Sequence, residues 1–222
     1  YRALDSLSLQ VERNEVYGFL GPNGAGKTTT LKLLTELIFP TSGRISVLGK
    51  PPGHPDVRRR VGYLPEAPYF YDYLSAEELM TYFAGLFGLR GAERTARVSN
   101  LLDRVGIAGE RRLPLRKFSK GMLQRVGLAQ ALINEPELVF LDEPMSGLDP
   151  LGRRDVRALI LELRDRGCTV FFRSHILSDA ETLCSQVGIV AQGRLVAGGR
   201  LSELLAFETK GWVLVVDRVS AP

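Results

Sequence analysis

Glu15-Val16-Tyr17-Gly18-Phe19-Leu20-Gly21-Pro22-Asn23-Gly24-Ala25-Gly26-Lys27-Thr28-Thr29-Thr30-Leu31 is the stretch from which the fold follows. Residues 15–20 are a short apolar run suited to a buried strand, and residues 29–34 continue as a helix. Between them, Gly21 to Thr28 fits the pattern G-x-x-x-x-G-K-[ST]. Its glycines let backbone N–H groups turn inward toward phosphate oxygens, and its lysine reaches the outer phosphates. The helix that follows points the positive end of its dipole at the same anion. A strand, a phosphate-binding loop and a helix in that order predict an α/β core that holds a nucleotide.

The bulk properties fit such a core. The 222 residues are enough to bury a core without disulfide or metal staples, and 45% hydrophobic with 24% charged residues is ordinary globular composition. No apolar stretch approaches the roughly 18 to 20 residues needed to span a bilayer, and no secretory signal is read, so any membrane role requires another chain or domain to cross. The net charge of +4 is mild and its arginines fall in short groups (Arg58 to Arg60, Arg111-Arg112, Arg153-Arg154). That scatter resembles solvated helix ends and predicts no direct nucleic-acid binding. Cys168 and Cys184 show no metal-ligand spacing and read as reduced, buried thiols.

Toward the N-terminus, Leu7, Leu9 and Val11 alternate as in a half-exposed strand, and Arg13-Asn14 turns the chain into the apolar run. After the loop, the helix is expected to end near Phe39-Pro40 and to be followed by a strand over 44–48. Lys50 to Pro55 reads as loop, with His54 an exposed residue of no assigned role. Val61 to Leu64 reads as a short strand. The aromatic run Tyr69-Phe70-Tyr71-Asp72-Tyr73 is broken by proline upstream; it is either a partner surface or a loop folded onto the core.

At Ser75 the pattern changes to helix, opening with the capping box Ser75-Ala76-Glu77-Glu78 and continuing with Leu79, Phe83 and Leu86 on one face. A second helix is expected over Ala92 to Val105, and a third after Phe118-Ser119-Lys120-Gly121-Met122. Ser119 is either a plain N-cap or, with Gly121, a second phosphate-facing helix start. Strands resume at Leu138 to Leu141, which delivers Asp142 and Glu143 to a C-terminal sheet edge. Two adjacent carboxylates there can address a metal and a water; the alternative is an ion pair with a local arginine. A helix capped by Asp149-Pro150, a strand at Thr169 to Phe172 ending in Arg173-Ser174-His175, a helix over 178–184, a strand over Gln186 to Ala191 and a strand over Arg194 to Ala197 complete the alternation.

The expected fold class is therefore α/β: a P-loop NTPase core with a mixed, mainly parallel sheet, an N-terminal antiparallel β region and an inserted helical subdomain. Residues 1–222 read as one domain. Residues 1–74 and 135–210 form the core, 75–134 the helical part, and 211–222 either a terminal strand over Trp212 to Val216 or the start of a further segment.

Five separated pieces resemble one family, the nucleotide-binding subunits of ATP-binding-cassette (ABC) transporters, over nearly the whole chain. Residues 118–122 resemble the L-S-G-G-Q signature, 138–143 the Walker B segment, 146–149 the D-loop, His175 the switch histidine and Leu64-Pro65-Glu66 the Q-loop. The resemblance implies an ATPase with ATP and Mg²⁺ as its ligands. Lys27 and the N–H groups of Gly21 to Thr28 would hold the β- and γ-phosphates and Thr29 the α-phosphate. Thr28, Asp142 and Glu66 would serve Mg²⁺, Glu143 would polarise the attacking water, and His175 would contact the γ-phosphate. Ser119 and Gly121 would serve the nucleotide of the opposite subunit in a head-to-tail dimer.

The chain would sit at the cytoplasmic face of the membrane, coupling hydrolysis to export through membrane-spanning permease chains. The alternative is a non-transport ABC ATPase acting on nucleic acid or the ribosome. Three departures stand out: Lys120 and Met122 replace Gly and Gln in the signature, Glu66 replaces the Q-loop Gln, and Tyr1 is the one candidate for the adenine-stacking aromatic.

Overall fold

A computed structural model describes residues 2–204. Six strands form one sheet in the order β2-β3-β4-β1-β5-β6, comprising β1 (Val16–Leu20), β2 (Val61–Leu64), β3 (Leu138–Asp142), β4 (Thr169–Ser174), β5 (Gln186–Ala191) and β6 (Arg194–Arg200). All pairings are parallel except β5 with β6, which is antiparallel. β1 lies between β4 and β5, so the phosphate loop leaves the middle of the sheet. Every residue of β1, β3 and β4 is buried, as near-continuous apolar strands covered on both faces must be.

Strand alternation divides the interior into two cores. Val16, Leu20, Val139, Leu141, Val170 and Phe172 face one side, which packs against the helices α3 (Ala76–Leu86), α4 (Gly91–Arg104), α5 (Lys120–Ala131), α6 (Pro150–Asp165) and α7 (Leu177–Leu183). Tyr17, Phe19, Phe140 and Phe171 face the other side. There Phe171 is the hub, with ring centroids 5.6 Å from Tyr17, 5.4 Å from Phe19 and 5.7 Å from Phe140. That side is closed by α1 (Lys27–Leu34), α2 (Pro55–Arg60) and the segment carrying Leu7, Leu9 and Val11.

Several sequence expectations need correction. The N-terminal antiparallel β region is not formed as paired strands among the described residues. Leu7, Leu9 and Val11 do alternate in burial with Ser8 and Gln10 and pack on the second core, yet no ladder takes them up. The strand expected over 44–48 is reduced to one bridge, Val47 with Lys50. α1 stops at Leu34, well before Phe39, because Glu36 takes a left-handed turn (φ 56°) and Leu37 N–H bonds back to Lys32 O, a Schellman closure. His54 has a role: its side chain accepts the Asp56 N–H and caps α2, whose first residue is Pro55.

Leu86 is 64% exposed; the buried face of α3 is instead Ala76, Leu79, Met80 and Ala84. β6 runs three residues past the expected Ala197, and α7 begins and ends one residue early. Tyr1 and the strand expected over Trp212 to Val216 lie outside the described residues.

Candidate functional site

The C-terminal edge of the parallel strands gathers the chemistry. In-register pairing sets Leu20 beside Ser174 and Asp142 beside Arg173, so the ends of β1, β3 and β4 emerge side by side. This is the crevice where open α/β sheets bind ligands. Gly21 leaves β1 so close to β5 that a Cβ on it would lie 2.1 Å from Val190 O; no other residue fits. Gly26, at φ 103°, is the N-cap of α1 and offers no side-chain bond to the first turn. The N–H groups of that turn are thus left for an anion rather than for a capping oxygen.

Lys27 is 3% exposed and donates to Gly21 O at 2.5 Å and Pro22 O at 2.8 Å. The amine thus lies against the loop's own carbonyls. Burial, helped by the nearby Arg173 cation, holds its pKa below the ordinary lysine value. Beside it a cavity of about 200 Å³ is lined by Gly24, Gly26, Lys27, Thr28, Thr29 and Arg173. On the other side of the loop a recess of about 310 Å³ is lined by Gly21, Pro22, Asn23 and His175, among others. Two larger clefts, of about 570 and 620 Å³, contain none of the predicted site residues, so size alone misplaces the chemistry.

Glu143 follows β3 in a left-handed conformation (φ 50°), an uncommon state for a residue with a Cβ and a mark of a tightly specified position. Its N–H donates to Arg173 O at 3.0 Å. Its carbonyl accepts from Ser146 N–H at 3.0 Å and from the amide of Gln124 at 3.1 Å. The carboxylate lies 2.8 Å from His175 Nδ1, and the residue is buried. The backbone thus holds a buried carboxylate at the crevice with a histidine in contact.

Asp142 meets both readings open to it in sequence. It stands at the expected sheet edge, and it is also ion-paired with an arginine: Arg173 Nη1 donates to Asp142 Oδ1 at 2.5 Å and to Glu66 Oε2 at 3.1 Å. Desolvation raises the Asp142 pKa, and Arg173 opposes that rise. Thr28, Asp142 and Glu66 are hard oxygen donors of the kind Mg²⁺ selects, and the two carboxylates already converge on one cationic nitrogen. These residues fit a magnesium ion. Among the described residues no group of three or more His, Cys, Asp or Glu is arranged to hold a metal.

Ser119 and Gly121 are not brought to this site. Ser119 is exposed and caps α5 by accepting the Met122 N–H, and neither residue lines the cavities beside the phosphate loop. Sequence reasoning missed two residues. Gln124, 1% exposed, ties α5 to the Glu143 backbone, and a buried glutamine in an otherwise apolar helix face was its only sequence signal. Arg173 was visible as a charge ending an apolar strand, but its partners were not.

A sequence model described as ABC transporter matches residues 4–146. The chain is 53% identical over 205 residues to an uncharacterised ABC transporter ATP-binding protein of Synechocystis, covering 91% of this chain and 58% of that protein. It is 41% identical over 204 residues to a fluoroquinolones export ATP-binding protein of Mycobacterium tuberculosis, covering 91% and 66%. The chain thus spans less than two thirds of either relative's length. A solved structure of an ATP-binding subunit of an ABC transporter superposes with TM-score 0.84 at 35% identity, over 91% of this chain and 85% of that one.

Proposed function

The chain belongs to the ABC transporter family, and on that premise we propose that it binds ATP with Mg²⁺ and hydrolyses it to drive export through membrane-spanning partner chains. The observation that carries this reading is the buried Glu143 carboxylate in contact with His175, beside the phosphate loop and next to Asp142. In this reading Gly21 to Thr28 cradle the phosphates, with Lys27 leaving its loop carbonyls for the outer phosphates and Thr29 serving the α-phosphate. Thr28, Asp142 and Glu66 would hold Mg²⁺, which would neutralise charge on the phosphates when bound. Glu143 orients and polarises water, and His175 contacts the γ-phosphate side. The loop carrying Glu143 is fixed by Gln124 and by the backbone bond to Arg173, so the carboxylate needs no reorganisation to act.

Ser119 and Gly121, which lie outside the phosphate-loop cavities, would serve a second subunit's nucleotide in a head-to-tail dimer. The aromatic loop over 69–73 and the helix α3 that follows would carry the contact to the permease chains. Tyr69 (99% exposed), Tyr71 and Tyr73 stand out of the preceding loop, with Tyr82, Leu86 and Phe87 exposed at the end of α3. Such an apolar surface suits a partner. Among the described residues no helix is long and apolar enough to cross a membrane. In this reading the partner chains cross it and hold this chain at the cytoplasmic face. The Mycobacterium relative is named for export, which supports that direction.

Photocrosslinking from positions 69, 71 and 73 in membranes of the native cell tests the partner. Crosslinks to a membrane-spanning chain are expected; crosslinks only to soluble proteins would overturn the transport reading.

A further inference from the structure

Glu66 puts a negative charge where a Q-loop glutamine is expected, within a site that already holds Asp142 and Glu143. The structure supplies a counter-charge from β4. Arg173 is 8% exposed, and a single nitrogen, Nη1, bonds both Asp142 and Glu66. Among the described residues its Nε is buried without a hydrogen-bond partner. Arg173 also lines the cavity formed with Gly24, Gly26, Lys27, Thr28 and Thr29. An arginine evolved only as a structural brace would be expected to satisfy its fork; here one nitrogen does the bridging while another is left over, facing no acceptor.

We infer that Arg173 stands in for the divalent cation in the nucleotide-free protein, bridging Asp142 and Glu66 through Nη1, and that it must release Asp142 before a metal can be held there. Two carboxylates brought together without a cation repel, and a buried one is costly unless paired. Arg173 offsets part of both penalties. It also lowers the site's attraction for free metal, because its positive charge occupies the oxygens a metal would use. Metal binding is thereby made conditional on the phosphates, which bring their own oxygens and give the guanidinium an acceptor for its unpartnered Nε. Arg173 is on this account a positioning residue: it acts through Asp142 and Glu66.

The inference rests on the reading of Asp142 as a metal-side carboxylate, so the experiment tests the two separately. Mn²⁺, read by the loss of its free electron-paramagnetic-resonance signal, is titrated alone into nucleotide-free wild type, Arg173→Met and Arg173→Gln. The glutamine variant keeps a donor for Asp142 without the charge, so the measurement survives if the methionine variant fails to fold. Both variants that fold are expected to bind Mn²⁺ at least tenfold more tightly than wild type. Affinity equal to or weaker than wild type in Arg173→Gln would overturn the inference, even if thermal stability fell, since a brace would lower stability and leave metal affinity alone. In parallel, Mn²⁺ binding to wild type with a non-hydrolysable ATP analogue should depend on Asp142, weakening in Asp142→Asn. Loss of that dependence would sink the underlying reading instead.

Discussion

His175 Nδ1 lies 2.8 Å from Glu143 Oε1, joining the residue that follows β4 to the residue that follows β3 across the mouth of the crevice. A carboxylate only accepts, so Nδ1 donates in this pair and the other ring nitrogen is left for a further partner. The side chain of His175 is 57% exposed while that of Glu143 is 7% exposed, so the histidine is the member reached from solvent. His175→Ala should therefore lower the ATP turnover rate by about a hundredfold or more while leaving ATP affinity within a few fold. Turnover at the wild-type rate, measured by phosphate release, would contradict the pairing's catalytic role.

Lys27 is held by two carbonyls of its own loop. Removing the amine removes the cation that the outer phosphates would meet and the bonds that preform the loop. Lys27→Ala should weaken ATP binding by at least about tenfold, seen by calorimetry; an unchanged affinity would count against the loop as the phosphate site.

The helical part is anchored at its first residue. Ser75 Oγ accepts the Glu78 N–H at 3.2 Å, and Glu78 Oε2 accepts the Ser75 N–H at 2.8 Å. Ser75→Ala should cost about 1 kcal/mol, lowering the melting temperature by roughly 2–4 °C for a chain of this size. An unshifted melt would mean that the box adds nothing to global stability.

Cys168 starts the turn into β4 and is buried there, which pushes its thiol up to about 12. Native protein at pH 8 should leave Cys168 unmodified by a disulfide reagent, since thiolate is the reactive form, and unfolding should expose it. Labelling of Cys168 in the native state at the rate of free cysteine would contradict its placement in the core.

Legibility in the sequence followed how local each determinant is. β2 and β5 were read with their observed bounds because short apolar runs flanked by breakers carry their own limits. The α3 start was legible because a capping box is complete within four residues. α2 is not legible: residues 50–55 read as loop because Pro51 and Pro52 dominate the local pattern, and the cap is a histidine, which is not among the usual cap residues. The segment through Leu7, Leu9 and Val11 showed its burial alternation but not its lack of a ladder, since pairing depends on a distant partner.

The site divides in the same way. Lys27, Asp142 and Glu143 follow from motifs contiguous in the chain, whereas the Arg173 bridge to Asp142 and Glu66 depends on the register of β3 against β4. No stretch of sequence contains that register.

Glu143, fixed by Gln124 and paired with His175, is the residue proposed to activate water for hydrolysis while the rest of the site binds nucleotide. The most direct measurement is ATP turnover together with oligomeric state for Glu143→Gln, which keeps the side chain's shape and removes its charge. Retained ATP binding is expected, with turnover reduced by at least about a hundredfold and an ATP-dependent dimer that accumulates in size-exclusion chromatography. Steady-state hydrolysis near the wild-type rate would contradict that role.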